Sequence, residues 1–276
     1  RGLGDVYKRQ GLARNHILEV PHPLVWIVQR ARPVMVEAIA RRFITGSLWR
    51  AYQQGEREFC GIQLPDNLHA NQRLSGILVT PSTKGVMRGL AGIPEADDTN
   101  LSRAQLTQHW RAFGFRSPDD IDHYEKLLKQ GAELIASHLA PLELMLVDTK
   151  FEFGYANDSA GDEQLIYMDE VGTPDSSRIW DAVAYRSGRV LENSKEEFRQ
   201  ALLRHVKDPQ LLLDHTRFEE RKQFAAAHAL PAGMLHSVSD TYRAVAERII
   251  GQPVVIPQEP RESMIATLND QFALVH

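Results

Sequence analysis

Val147-Asp148-Thr149-Lys150-Phe151-Glu152-Phe153-Gly154, and after a turn Met168-Asp169-Glu170-Val171-Gly172-Thr173-Pro174-Asp175-Ser176-Ser177-Arg178-Ile179-Trp180-Asp181, are the stretches that decide the reading of this chain. Asp148, Lys150 and Glu152 alternate with Phe151 and Phe153. On a strand the charges share one face and the aromatics point to a core. Three charges on one strand face are costly to bury without partners, and such alternation is otherwise a solvated face. The second stretch weighs against the solvated face, because it brings Trp180 and a dense polar apex beside the first. Carboxylates from two strands, Asp148, Glu152, Asp169 and Glu170, suit Mg²⁺ bound through phosphates. A lysine among them suits a phosphate or a carboxylate. The loop Thr173–Arg178 adds hydroxyls, backbone N–H groups and a guanidinium fit for a two-pronged grip on phosphate.

Working outward, residues 142–149 predict a buried strand, 150–156 its continuation, and 164–171 its hairpin partner across a turn at Asp158–Asp162. Residues 17–31 predict extended structure interrupted by Pro21 and Pro23, and 33–44 predict a β-branched strand. Ser47 is the expected N-cap of a following helix. Residues 55–100, rich in Gly, Pro, Asn and Asp, predict a long loop region carrying short elements. Helix is expected from Ser102 onward, with Ser117-Pro118 opening a helix that Pro141 stops. Further helices are expected at 194–205, 209–229 and 237–250, with a less regular tail from Pro253. No internal repeat or low-complexity segment is present.

The 276 residues are 43% hydrophobic and 25% charged, with net charge −4, which is enough apolar material for a real core. No basic block marks a nucleic-acid partner, and no run of about 20 apolar residues marks a membrane span. The single Cys60 allows no internal disulfide, and the cytoplasm is the expected compartment. The histidines show no paired metal-ligand spacing, so zinc is not expected. Neither GxxxxGK[ST] nor GxGxxG occurs. The first ten residues, RGLGDVYKRQ, run straight into sequence of mid-domain character and resemble adapter read-through, so they are expected to be foreign.

VDTKFEFG followed by DEVGTPDSSRIW resembles the signature pair of the SAICAR synthetase (phosphoribosylaminoimidazole-succinocarboxamide synthase) family. The resemblance extends to Glu37–Ser47 (EAIARRFITGS) and Thr80–Lys84 (TPSTK), in the family's order, over roughly residues 20–250, and points to its longer form. It implies an α+β, two-lobed, kinase- or ATP-grasp-like fold with mixed or antiparallel sheets and flanking helices. It also implies that most of an N-terminal, glycine-containing ATP lobe is missing, so the full ATP site is not expected to assemble from this chain alone. Residues 11–36 would be that lobe's remnant, 37–250 the catalytic lobe with an insert at 55–100, and 251–276 an extension, with an interlobe hinge near 33–40. The implied reaction is ATP-dependent. Mg·ATP phosphorylates the carboxylate of carboxyaminoimidazole ribonucleotide, and the amine of L-aspartate displaces phosphate from the acyl phosphate. The resemblance assigns Mg²⁺ to Glu152 and Asp169 with Asp148 nearby, and the reacting carboxylate or phosphate to Lys150. It assigns the ribonucleotide phosphate to Arg41, Ser47 and Arg178. Asp175 and Ser176 fall at the substrate end, Ser82 and Lys84 on a substrate loop, and Glu37 near the adenine pocket. The competing readings are a small-molecule kinase keeping the Asp169 metal site, and a non-catalytic nucleotide-binding remnant.

Overall fold

The computed structural model describes residues 12–214 and 217–274. The expected foreign segment at 1–10 and the helical placement of His215 lie outside them. In chain order the strands and helices begin with β1 (Ile17–His22), β2 (Val25–Val28), β3 (Arg32–Phe43) and α1 (Gly46–Gln53). The next stretch carries β4 (Glu58–Phe59), β5 (Ile62–Gln63), β6 (Arg73–Val79) and β7 (Ser82–Thr83), and leads into α2 (Arg103–Gln108) and α3 (Asp120–Leu139). Then come β8 (Leu144–Asn157), β9 (Glu163–Met168), β10 (Ser177–Asp181) and α4 (Ala182–Arg186). The C-terminal part is helical: α5 (Lys195–His205), α6 (Gln210–Leu213), α7 (Phe218–Ala227), α8 (Ala232–Ile250) and α9 (Pro260–Phe272).

The main sheet runs β10-β8-β3-β6, with β9 and β7 pairing further along β8 and β3, and its strand pairings are antiparallel. β8 is long enough to hold two partners on one edge, β10 against Leu144–Thr149 and β9 against Glu152–Asn157. Its register slips between Arg178 and Ile179, which face Asp148 and Leu146, so Val147 is the extra residue of a bulge. The bulge resets the phase. Leu144 and Leu146 before it, and Phe151 and Phe153 after it, all lie in the main core although Leu146 and Phe151 are five positions apart, an odd step that would put them on opposite faces of a regular strand. Val147 instead joins Phe43 and Trp180 in a small cluster.

Helix α3 covers the apolar face, burying Tyr124, Leu128, Ala132 and Ile135 against Phe151, Phe153 and Tyr167. Gly131 lets it come close: a Cβ there would lie 2.8 Å from a Phe151 ring carbon. The opposite face carries the charges.

Several local expectations are corrected. Helix α1 starts at Gly46 with Thr45 as N-cap and no side-chain cap bond, because the Ser47 hydroxyl is taken by Arg41. Helix from Ser102 is real and closed by a Ser102–Gln105 capping box, but it ends at Gln108. The next helix begins at Asp120 rather than Pro118, because its entry is a tighter turn in which the N–H groups of Asp120, Ile121 and Asp122 bond to the carbonyls of Ser117, Pro118 and Asp119. The expected 209–229 helix is divided between α6 and α7, and the hairpin partner ends at Met168. Among the described residues no helix is long and apolar enough to cross a membrane.

Candidate active site on the charged sheet face

Register places the charges in rows across the strands. Arg41 on β3 lies opposite Asp148 on β8, which lies opposite Arg178 on β10. Four residues along β8, Glu37 faces Glu152 across the β3–β8 pair. At about 3.3 Å per residue the two rows are ~13 Å apart, with Lys150 between them.

The first row is a closed network. Arg178 Nη1 donates to Asp148 Oδ2 at 2.5 Å and Nη2 donates to Glu196 Oε2 at 2.9 Å. Its Nε faces Glu192 Oε1 at 3.7 Å. Arg41 Nη1 lies 3.5 Å from the same Asp148 oxygen, while Nε donates to Thr80 Oγ1 at 2.8 Å and Nη2 to Ser47 Oγ at 3.1 Å. Burial works against the Arg178 charge, but Asp148 and Glu196 more than offset it and raise its pKa. For Arg41 burial wins over Asp148 and the pKa falls. Glu192 is pushed up to about 7 by burial, against the opposing pull of the Trp180 N–H and Arg178. Gly46 matters here. A Cβ on it would sit 3.0 Å from Arg178 Nη2, so its bare backbone lets the guanidinium lie against the uncapped first turn of α1. An arginine fork beside free helix N–H groups is a seat for an anion.

The second row is lysine-based. Lys150 Nζ donates to Glu37 Oε1 at 2.7 Å and lies 3.6 Å from Glu152 Oε1. Lys84 pairs with Glu152, and Ser82 Oγ donates to Glu37 Oε2 at 3.3 Å. Pairing of β7 with Val36 and Glu37 brings these two loop residues onto the site. Burial opposes the Lys150 charge, but the bond to Glu37 and the charges of Glu37, Glu152 and Asp169 together raise its pKa. Asp169 sits just past β9 in left-handed backbone (φ +58°), a conformation that Asp tolerates better than most residues. Among the described residues no three His, Cys, Asp or Glu side chains converge as a metal cage. Glu152 and Asp169 nonetheless both act on Lys150, and two carboxylates suffice for a Mg²⁺ that keeps phosphate and water ligands.

The loop between the rows is built by a reciprocal turn. The Ser176 N–H donates to Thr173 Oγ1, and the Thr173 N–H donates to Ser176 Oγ, each at 3.2 Å. Asp175 pairs with Lys195 at 3.1 Å and accepts from the Tyr242 hydroxyl at 3.3 Å. Every residue singled out in the sequence thus lies on or beside this face. Sequence reasoning missed Glu192, Lys195 and Glu196. Their only local signal is a Ser194 cap with acids in the first turn of α5, which reads as ordinary helix chemistry.

Comparison with known proteins follows the same line. A family model described as SAICAR synthetase matches residues 6–211. The phosphoribosylaminoimidazole-succinocarboxamide synthases of Aeromonas salmonicida and Vibrio cholerae are 57% and 53% identical over 270 residues. The matches span 98% of this chain and 74% and 73% of those proteins. Among solved structures, a SAICAR synthetase in complex with ADP superposes over 92% of this chain and 80% of its own, with TM-score 0.58 at 19% identity. A SAICAR synthase from Saccharomyces cerevisiae, complexed with SAICAR, superposes over 91% of this chain and 79% of its own, with TM-score 0.61 at 21% identity. At these identities the structural likeness speaks for the fold.

Proposed function

The chain belongs to the SAICAR synthetase family, ATP-dependent ligases of purine biosynthesis, and from that premise we propose how its charged sheet face divides the reaction. The arginine row, Arg41, Ser47 and Arg178 with the first turn of α1, takes the ribonucleotide's phosphate. The lysine row, Lys150 with Glu37, Glu152, Ser82 and Lys84, takes the other end, where the reacting carboxylate meets the ATP phosphates. The observation that carries this is the ~13 Å between two differently built charge rows on one face, a span that a monophosphorylated ribonucleotide can bridge. Glu37 holds Lys150 here, at the end of the face toward which the nucleotide lies.

A substrate carboxylate oxygen attacks the γ-phosphorus of ATP, and ADP leaves. The aspartate amine then attacks the acyl carbon, phosphate leaves, and the nitrogen gives up a proton as the amide forms. Three anions meet in this sequence, so cations must offset their repulsion. Lys150 can swing from Glu37 to the reacting oxygens because its own flexible side chain is the most exposed member of its ion pairs with Glu37 and Glu152. Glu152 and Asp169 would hold Mg²⁺, which neutralises charge on the ATP phosphates when bound. Asp175 and Ser176, fixed by their turn, shape the wall against which aspartate approaches, and excluding water there protects an acyl phosphate. Carboxyaminoimidazole ribonucleotide, L-aspartate and ATP are the partners in this reading, and the cytoplasm is the compartment.

Steady-state kinetics of Arg178→Ala test it. The expected result is a KM for the ribonucleotide raised about 100-fold, with the KM for ATP within about threefold of the parent. Equal loss for both substrates would contradict the division of the site.

A further inference from the structure

Arg178 is oversubscribed for a residue that must bind a phosphate. Its guanidinium carries five N–H donors, and a two-pronged grip on an anion uses two of them on neighbouring nitrogens. Asp148 already accepts from Nη1 and Glu196 from Nη2, while Glu192 stands near Nε. A phosphate dianion arriving at this fork finds its donors taken and is repelled by the charges of Asp148 and Glu196.

The three carboxylates are not equally held. Asp148 is fixed in the sheet between Arg41 and Arg178. Glu192 is tied to the Trp180 indole N–H at 2.7 Å and to the Ser194 hydroxyl at 3.2 Å. Glu196 alone among them has other partners entirely on its own helix, Arg199 Nη1 at 2.9 Å and Gln200 Nε2 at 2.7 Å. It can leave Arg178 without becoming an unpaired charge. It is also placed where leaving would open the site. One cavity of about 500 Å³ is lined by Gly46, Arg50 and Gln200, and a smaller one of about 110 Å³ by Asp148, Ser176 and Lys195. Arg178 and Glu196 are the two residues that line both.

We propose that Glu196 is an internal competitor for Arg178. Its carboxylate takes the seat that the ribonucleotide's phosphate needs, and it retires onto Arg199 and Gln200 when that phosphate binds. This rests on Arg178 being the phosphate grip, as proposed above. Glu196 is then a positioning residue, setting how tightly and how selectively a phosphorylated ligand is held.

The test is calorimetric titration of the full chain with carboxyaminoimidazole ribonucleotide and, separately, with its dephosphorylated nucleoside. The proteins are the parent, Glu196→Gln, Arg178→Ala and the double variant, each shown by thermal melt to unfold cooperatively. Glu196→Gln keeps the shape and removes the charge. It is expected to tighten the ribonucleotide about five- to tenfold, to leave the nucleoside unchanged, and to have no effect when Arg178 is already alanine. If Glu196→Gln binds the ribonucleotide no more tightly than the parent while Arg178→Ala still loses it, the competitor role is wrong. If Arg178→Ala binds as well as the parent, the phosphate grip itself is wrong and the competitor role falls with it. Should Glu196→Gln fail to fold, the exposed Arg199→Ala decides. Removing the retreat of Glu196 is expected to weaken ribonucleotide binding severalfold, and unchanged affinity would overturn the proposal.

Discussion

The two charge rows share one sheet face and differ in almost every other respect. In the arginine row the side chains of Arg41, Arg178 and Asp148 are 7%, 11% and 13% exposed. In the lysine row the cations Lys150 and Lys84 are each 34% exposed, although their partners Glu37 and Glu152 are only 17% and 6% exposed. A planar guanidinium with several simultaneous partners gains from being locked, whereas an ammonium on a four-carbon stem trades partners easily. The first row is therefore an anchor whose charges also support the fold. The second is a working end whose cations, on flexible and partly exposed stems, are free to move against fixed carboxylates. Removing a lysine should then cost activity and little stability, and removing a buried arginine should cost both.

The largest effect expected from this contrast is on turnover. Lys150→Ala should lower kcat about 10³-fold, roughly 4 kcal/mol of transition-state stabilisation. Its unfolding free energy should stay within about 1 kcal/mol of the parent, because Glu152 keeps Lys84 and Glu37 keeps the Ser82 hydroxyl. Arg41→Ala should instead lower stability by about 3 kcal/mol, seen as a shift of the urea midpoint. It takes from Asp148 one of its two arginines, leaving Arg178, and removes the buried bonds to Thr80 and Ser47. If the two variants lost equal stability, the distinction between anchor and working end would collapse. On the opposite face, Gly131→Ala should cost about 2 kcal/mol with KM values unchanged, because its Cβ would press on the Phe151 ring 2.8 Å away. A change in KM there would mean that the packed face and the charged face are mechanically coupled.

The same contrast explains what could be read beforehand. The 148/150/152 alternation was legible because a strand has period two and the intervening aromatics had to go inward. The bulge at Val147 was not, because Leu144 to Val147 are all apolar and a phase shift within them leaves no mark. Ser47 looked like a cap since its hydroxyl suits one, but a guanidinium six residues upstream claims it. The placement of Ser82 and Lys84 on Glu37 and Glu152 could be expected only through family resemblance, since β7 is two residues long and has no periodicity to read. Glu192 and Glu196 stayed hidden for a related reason. Their decisive partner, Arg178, lies on β10, and nothing in the local sequence announces a contact made through tertiary packing.

Glu192 supplies the smallest and most specific test of the anchor. It faces Arg178, Trp180 and Ser194, and Glu196 adds repulsion from the next helix. Burial raises its pKa in the folded protein from the ordinary 4.5 to about 7, so the folded state holds a proton that the unfolded chain has already released. Stability from this group is complete below pH 4.5 and is lost as pH rises through 7. Between pH 6 and pH 7 the loss is about 1 kcal/mol. Thermal melts across that interval should show a decline of about 2 to 4 °C in the parent, beyond any change common to both proteins, that is absent in Glu192→Gln. If both proteins decline alike, the carboxylate is already ionised at pH 6 and belongs to the locked ion pairs of Arg178. If the decline appears only in the parent, Arg178 is held at neutral pH by Asp148 and Glu196 with Glu192 still half protonated, and the anchor carries less negative charge against an incoming phosphate than its three carboxylates suggest.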